Sequence, residues 1–152
     1  TAVDISEDAL AVASGQDFSE EISRTEARKP HFIKADVLAA PMAELGRFDV
    51  LTSNPPYVME SEKALMRRNV LEHEPELALF VTDEDPLVFY RAVARWAADL
   101  LKPGGFGIVE INEALGAETA EVFAGAGMTD VKIVEDLAGK ERFVAFRKKK
   151  ND

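Results

Sequence analysis

Along the chain, short unbroken apolar runs trade places with stretches in which apolar residues recur every third or fourth position. Thr1 to Ile5 is a β-rich run. It ends at Ser6, after which Glu7 and Asp8 precede Ala9, Leu10, Val12 and Ala13. This predicts a strand followed at once by a helix, with Ser6 as N-cap and two acids at the positive end of the helix dipole. Residues 14–30 are polar and mixed, closed by Pro30, and helix and loop are not separable there. "HFIKADVL" (31–38) suits a short buried strand ending at Asp36, and "RFDVLTSN" (47–54) is the next strand. Leu87, Tyr90, Ala94, Ala97 and Leu101 then repeat at helical spacing. They predict a helix from Pro86 to Leu101, with Asp85 as cap and Pro86 in its first position. "KPGG" (102–105) would end that helix, and "FGIVEIN" (106–112) would be a strand. A helix over 117–124 stops at Gly125 and Gly127, and residues 130–148 read as a hairpin turning at Ala138-Gly139-Lys140. The order describes an α/β fold whose sheet is mostly parallel with an antiparallel C-terminal hairpin.

Composition narrows what such a fold can do. At 152 residues, with 47% hydrophobic and 30% charged positions, the chain suits one soluble globular domain. The 18 Lys+Arg against 28 Asp+Glu give a net charge of -10, the wrong sign for neutralising phosphates, so no direct nucleic-acid binding is expected. Zero cysteines exclude disulfides and thiolate metal sites and suit an intracellular protein. No apolar stretch approaches membrane-spanning length and the N-terminus lacks the layout of a secretory signal, so no membrane association is expected and the cytoplasm is the expected location. Residues 149–152 end the chain as a polar tail.

In an open parallel sheet, ligands lie beyond the carboxyl ends of the strands. The positions to inspect are therefore Asp4, Asp36, residues 54–57 and residues 110–112. Asp4 suits the vicinal hydroxyls of a ribose, or simply helps to cap the following helix. Asp36 could accept from an adenine amino group or be an acid at a turn. "NPPY" (54–57) is more telling, because Pro55 and Pro56 remove two donors while leaving their carbonyl oxygens free, and the residue before a proline is held extended. The side-chain oxygen of Asn54 and the main-chain oxygen of Pro55 then match the two hydrogens of a planar –NH2 group, with Tyr57 as an aromatic wall. Binding both hydrogens lets charge build on an otherwise poor nucleophile, which is where electrostatic catalysis acts. The competing reading is a proline-rich turn. His31 and His73 have no partner at metal-ligand spacing and read as surface residues, so no metal site is expected. Trp96 reads as packing, Glu72 and Glu74 as either the substrate mouth or a solvated loop, and Glu110 and Asn112 carry no assigned role.

The sequence resembles the HemK/PrmC family of protein-(glutamine-N5) methyltransferases, within the class I, Rossmann-like methyltransferases dependent on S-adenosylmethionine. The resemblance rests on "AVDIS" (2–6), "KADVL" (34–38), "FDVLTSNPPYV" (48–58), "EHEPELALF" (72–80), "PLVFYRAV" (86–93), "LKPGGFGIVEI" (101–111) and "DLAGKERFV" (136–144), in the family's order. It implies methyl transfer to the side-chain amide of the glutamine in the Gly-Gly-Gln motif of peptide-chain release factors. Carried over, Asp4 would hold the ribose, Ile5 pack on the adenine, and Asp36 with Val37 address the adenine edge. Asn54 and Pro55 would hold the glutamine amide beside the cofactor, with Pro56 and Tyr57 completing the motif. The family's first strand, its glycine-rich loop and its N-terminal helical domain have no counterpart here. Residues 1–148 thus look like a partial catalytic domain, with a gap between the strands of "AVDI" and "FDVLTS" whose edges would repack or pair in an oligomer. "TDEDP" (82–86) also departs from the family's glycine-containing turn. The alternatives are an adenine-N6 nucleic-acid methyltransferase, which the net charge disfavours, and a non-catalytic piece that keeps only the amide-binding corner.

Overall fold

A computed structural model of the chain describes residues 1–66 and 73–150. Glu72, one of the expected mouth residues, lies outside them. The chain forms two compact units, Thr1–Ala39 and Ala40–Asp152.

In the first unit, β1 (Ala2–Asp4) leads into α1 (Glu7–Ser14), then α2 (Ser19–Arg24) and β2 (Phe32–Lys34). Ser6 Oγ accepts the Ala9 N–H at 3.2 Å, and Glu7 and Asp8 occupy the first turn, so the N-cap forms as the sequence predicts. In the undecided stretch α2 forms, with Asp17 Oδ1 accepting the Ser19 N–H at 2.9 Å. β1 and β2 pair in parallel, Ala2 to Phe32 through Asp4 to Lys34. The expected burial of β2 is corrected: Phe32 and Ile33 are half-buried and Lys34 is exposed. A ladder of two strands with short helices has too little apolar surface to enclose either strand.

The second unit contains β3 (Phe48–Ser53), β4 (Val58–Met59), α3 (Glu76–Leu79), β5 (Phe80–Val81), α4 (Val88–Leu100), β6 (Leu101–Glu110), α5 (Gly116–Gly125), β7 (Met128–Glu135) and β8 (Glu141–Lys148). Its main sheet has the order β3-β6-β8-β7, parallel between β3 and β6 and antiparallel across the hairpin. β4 and β5 form a separate parallel pair. Among the described residues β1 pairs with β2 and β3 with β6, so the strands of "AVDI" and "FDVLTS" belong to different ladders.

The core lies between α4, α5 and one face of this sheet. Tyr90, Ala97, Leu101, Val109, Phe123 and Val144 are all fully buried, and Trp96 packs beside them. Two boundaries differ from expectation. α4 starts at Val88 after Leu87, whose apolar side chain cannot cap, and Asp85, two residues earlier, pairs with Arg91. The "KPGG" segment is not a break but part of β6. Phe48 faces Leu101 and Val50 already faces Phe106, so residues 102–105 bulge out of the ladder, with Gly104 at φ +80°. The hairpin turns where predicted, with Asp136 Oδ1 accepting from Ala138 and Lys140 and with Gly139 at φ +77°. Among the described residues no helix is long and apolar enough to cross a membrane.

Gly107 is where the sheet face tolerates least. A Cβ there would lie 2.2 Å from Phe146 Cε2, and the Phe146 ring is stacked on Phe123 at 4.3 Å. Gly107→Ala is expected to destabilise the fold by ~1–3 kcal/mol. Gly125→Ala, which meets open space at the end of α5, is expected to be neutral or slightly stabilising. Denaturant unfolding of both variants checks the contrast; equal stabilities would contradict this packing.

Candidate functional site

β3 stops after Ser53 because the chain then runs into Pro55 and Pro56, which have no N–H to offer a ladder. Asn54 is exposed, Pro55 is buried, and Pro56 and Tyr57 are half-buried before β4 resumes at Val58. The parallel register brings Thr52 opposite Ile108 and Ser53 opposite Val109. Both strands therefore end at one level, and the turn leaving β3 meets the turn leaving β6. A shallow, open depression of about 280 Å³ lies there, lined by Thr52, Ser53, Asn54, Ile108, Glu110 and Phe143. The amide of Asn54 makes no hydrogen bond among the described residues, which leaves its oxygen free.

Tyr57 is oriented from the neighbouring strand. Its Oη donates to Glu110 Oε1 at 2.8 Å. Burial, then the hydrogen bond and the charge of Glu110, push the phenol up to about 12, while Arg142 acts weakly the other way. Tyr57 is thus a protonated donor across the physiological range. Arg142, on β8, is itself anchored by Asp136 at 3.3 Å and Glu113 at 3.6 Å.

Just beyond β6, Asn112 is buried and fully engaged. Its Nδ2 donates to the Tyr57 carbonyl at 3.1 Å and to Glu62 Oε2 at 2.7 Å, while its Oδ1 accepts the Ala114 N–H at 2.9 Å. Its main-chain N–H donates to Tyr90 Oη at 3.1 Å. Glu62 Oε2 in turn accepts the Met59 N–H at 2.9 Å.

The first unit gathers the other predicted residues. Asp4 and Asp36 stand at the ends of β1 and β2, tied by the Ala35 N–H to Asp4 carbonyl bond at 3.0 Å. Asp4 Oδ1 accepts the Ser6 N–H at 2.7 Å, and Asp36 Oδ1 accepts the Leu38 N–H at 2.8 Å. Each keeps its second oxygen without a hydrogen-bond partner among the described residues. Ile5 is 44% exposed and Val37 half-buried. The predicted site residues thus form two groups: Asp4, Ile5, Asp36 and Val37 at one strand-end level of the first unit, and Asn54 to Tyr57 at one level of the second, where Glu110 joins them. His31 and His73 are exposed, and among the described residues no group of three or more His, Asp or Glu could hold a metal ion.

Glu110 and Asn112, to which the sequence assigned no role, are residues whose side chains hydrogen-bond to the Asn54–Tyr57 corner. Their signal was positional, since Glu110 ends β6 and Asn112 follows it much as Asn54 follows β3, but their partners are 53 and 55 residues away in the chain.

No protein-family model matches the chain. It is 43% identical over 141 residues to a release factor glutamine methyltransferase of Bacteroides thetaiotaomicron, covering 93% of this chain and 49% of that protein. It is 38% identical over 144 residues to the one from Flavobacterium psychrophilum, covering 94% and 48%. The chain thus spans about half the length of these curated relatives. Among solved structures it resembles a methyltransferase from Pyrococcus furiosus, with a TM-score of 0.58 and 19% identity over 97% of this chain and 61% of that one. This likeness shows the fold, that of the class I methyltransferases.

Tyr57 gives this site a spectroscopic handle. The protein's two tyrosines, Tyr57 and Tyr90, both have their ionisation pushed up, chiefly by burial. Folding favours the neutral phenol, so the stability from Tyr57 is complete below the unfolded value of about 10. It is lost as pH rises towards about 12. An ultraviolet titration is expected to show no tyrosinate near pH 10 while the fold persists, and Glu110→Gln to lower the Tyr57 midpoint more than that of Tyr90. A wild-type midpoint at the ordinary value would contradict the Tyr57–Glu110 pair.

Proposed function

Because the chain belongs to the release factor glutamine methyltransferase family, we propose that it is part of a methyltransferase dependent on S-adenosylmethionine that methylates the side-chain amide nitrogen of a protein glutamine. The proposed substrate is the Gly-Gly-Gln motif of a peptide-chain release factor. The observation that carries this reading is the free Asn54 amide at the end of a strand closed by two prolines, opening on the 280 Å³ depression beside Glu110.

The residues present suit the cofactor. Asp4 and Asp36 each commit one carboxylate oxygen to a main-chain N–H and keep the other available, the acceptors that a ribose diol and an adenine amino group require. Ile5 offers an exposed apolar side chain for the adenine face. S-adenosylmethionine, when bound, supplies an electrophilic methyl group.

The chain's own residues then have to make an amide nitrogen reactive. Asn54 Oδ1 and the Pro55 carbonyl accept its two hydrogens, so positive charge building on the nitrogen meets oxygen dipoles already in place. Pro55 and Pro56 keep those acceptors from turning away, and their missing N–H groups leave no competing donor at the corner. Tyr57, held by Glu110, closes one side of the site without becoming charged. Positioning is the main contribution, as expected where neither a metal nor a covalent intermediate is called on.

The test uses the full-length protein that contains this chain. Asn54→Ala is expected to lower methyl transfer to a Gly-Gly-Gln protein on the order of 10²–10³-fold, as for removal of one charge-stabilising group, at unchanged S-adenosylmethionine affinity. Asp4→Ala is expected to weaken calorimetric binding of S-adenosylmethionine. Wild-type protein that binds no S-adenosylmethionine, or Asn54→Ala that transfers at the wild-type rate, would overturn the reading and leave "NPPY" as a turn.

A further inference from the structure

We infer that Asn112 is a positioning residue for the Asn54–Tyr57 corner, setting the place of its main chain through the hydrogen bond from Nδ2 to the Tyr57 carbonyl. This rests on the amide-methylating reading above and deepens it, by naming what fixes the height of the acceptor pair.

The corner cannot hold itself. Two of its residues lack the N–H that a ladder uses, and the chain re-enters a strand only at Val58. A main chain of this kind needs donors from outside, and Asn112 brings one.

Its orientation is fixed by its partners. The Ala114 N–H must meet Oδ1, and the Tyr57 carbonyl and Glu62 carboxylate must meet Nδ2. Turning the amide over would set oxygen against both acceptors and N–H against N–H. Asn112 is only 6% exposed, so water cannot replace a lost partner cheaply. It is referenced to the core, because its own N–H is held by the hydroxyl of the fully buried Tyr90 on α4. The path from core to corner is therefore short: Tyr90, Asn112, Tyr57 carbonyl.

The second Nδ2 hydrogen serves a different purpose. It goes to Glu62, whose same oxygen accepts from Met59, and this folds the turn after β4 onto itself. Asn112 thus carries two separable jobs, one stabilising residues 59–62 and one placing the corner. Aspartate keeps the acceptor towards Ala114 but sets a carboxylate against Glu62 and the Tyr57 carbonyl. Adding Glu62→Gln returns a donor to the pair from the opposite side, at the expense of the Met59 N–H that shares this oxygen, and still leaves the Tyr57 carbonyl without one.

The double variant N112D/E62Q in the full-length enzyme separates the two jobs. Compared with N112D alone, it is expected to recover part of the lost melting temperature, since the carboxylate pair is relieved while the Met59 bond is not restored. S-adenosylmethionine affinity should be near wild type, while kcat stays on the order of 10- to 100-fold down, the scale of a misplaced reacting group. Hydrogen exchange over residues 54–58 should be faster than in wild type while that of α4 is unchanged. If kcat and exchange over 54–58 return to wild type as the melting temperature recovers, Asn112 acts through Glu62 alone and the inference is wrong. If wild-type enzyme methylates no glutamine, the functional reading fails on that result, and the exchange of 54–58 in the double variant still decides whether Asn112 places the corner.

Discussion

The parallel registration of β3 with β6 is the constraint on which the second unit's chemistry depends. Ser53 lies opposite Val109, so the two strands deliver Asn54 and Glu110 to the same edge, although the residues are 56 positions apart in sequence. Parallel ladders need crossover connections, and here α4 is that crossover, packing its buried face against the sheet. Had β6 slipped by one residue, every side chain on it would change face, and Glu110 would turn away from Tyr57. The core opposes that slip, because it buries Leu101 and Val109 of β6 and Val144 of β8 completely.

On this frame sits a polar network with few spare partners. Tyr90 reaches from α4 to Asn112, Asn112 to the Tyr57 carbonyl and Glu62, and Tyr57 to Glu110. Buried polar networks of this kind specify a single arrangement when satisfied, and are costly when one member is lost. The surface ion pairs contribute differently. Glu7 with Lys34 and Glu20 with Arg24 are more than half exposed and worth little to stability. What the first unit adds is the placement of Asp4 and Asp36 at one end of a short ladder, with the Ser6 cap starting α1 immediately after it.

Features set by local chemistry were legible in the sequence. The diproline had to end β3, Ser6 had to cap, Gly139 had to turn the hairpin, and the three-and-four spacing of Tyr90, Ala94 and Ala97 had to face a core. Reading strand ends as ligand positions singled out Asn54, Asp4 and Asp36, and the fold does set these residues at or just beyond strand ends. What the sequence did not disclose depends on partners distant in the chain. Asp85 looked like the cap, yet Leu87 holds that position and the Asp85 carboxylate pairs with Arg91. "KPGG" looked like a terminator, yet the ladder with β3 absorbs it as a bulge. "HFIKADVL" looked buried, a property of what packs on a strand rather than of the strand. Asn112 was an ordinary amide until its bonds to Tyr57 and Glu62, 55 and 50 residues away in the chain, defined it.

The most direct test of the account is a crystal structure of the full-length protein with S-adenosylhomocysteine and a Gly-Gly-Gln peptide. The account predicts the glutamine carboxamide nitrogen within hydrogen-bonding distance of both Asn54 Oδ1 and the Pro55 carbonyl, with Tyr57 still donating to Glu110 and the Tyr57 carbonyl still bound by Asn112. A glutamine side chain seated elsewhere, with Asn54 turned to solvent, would contradict it.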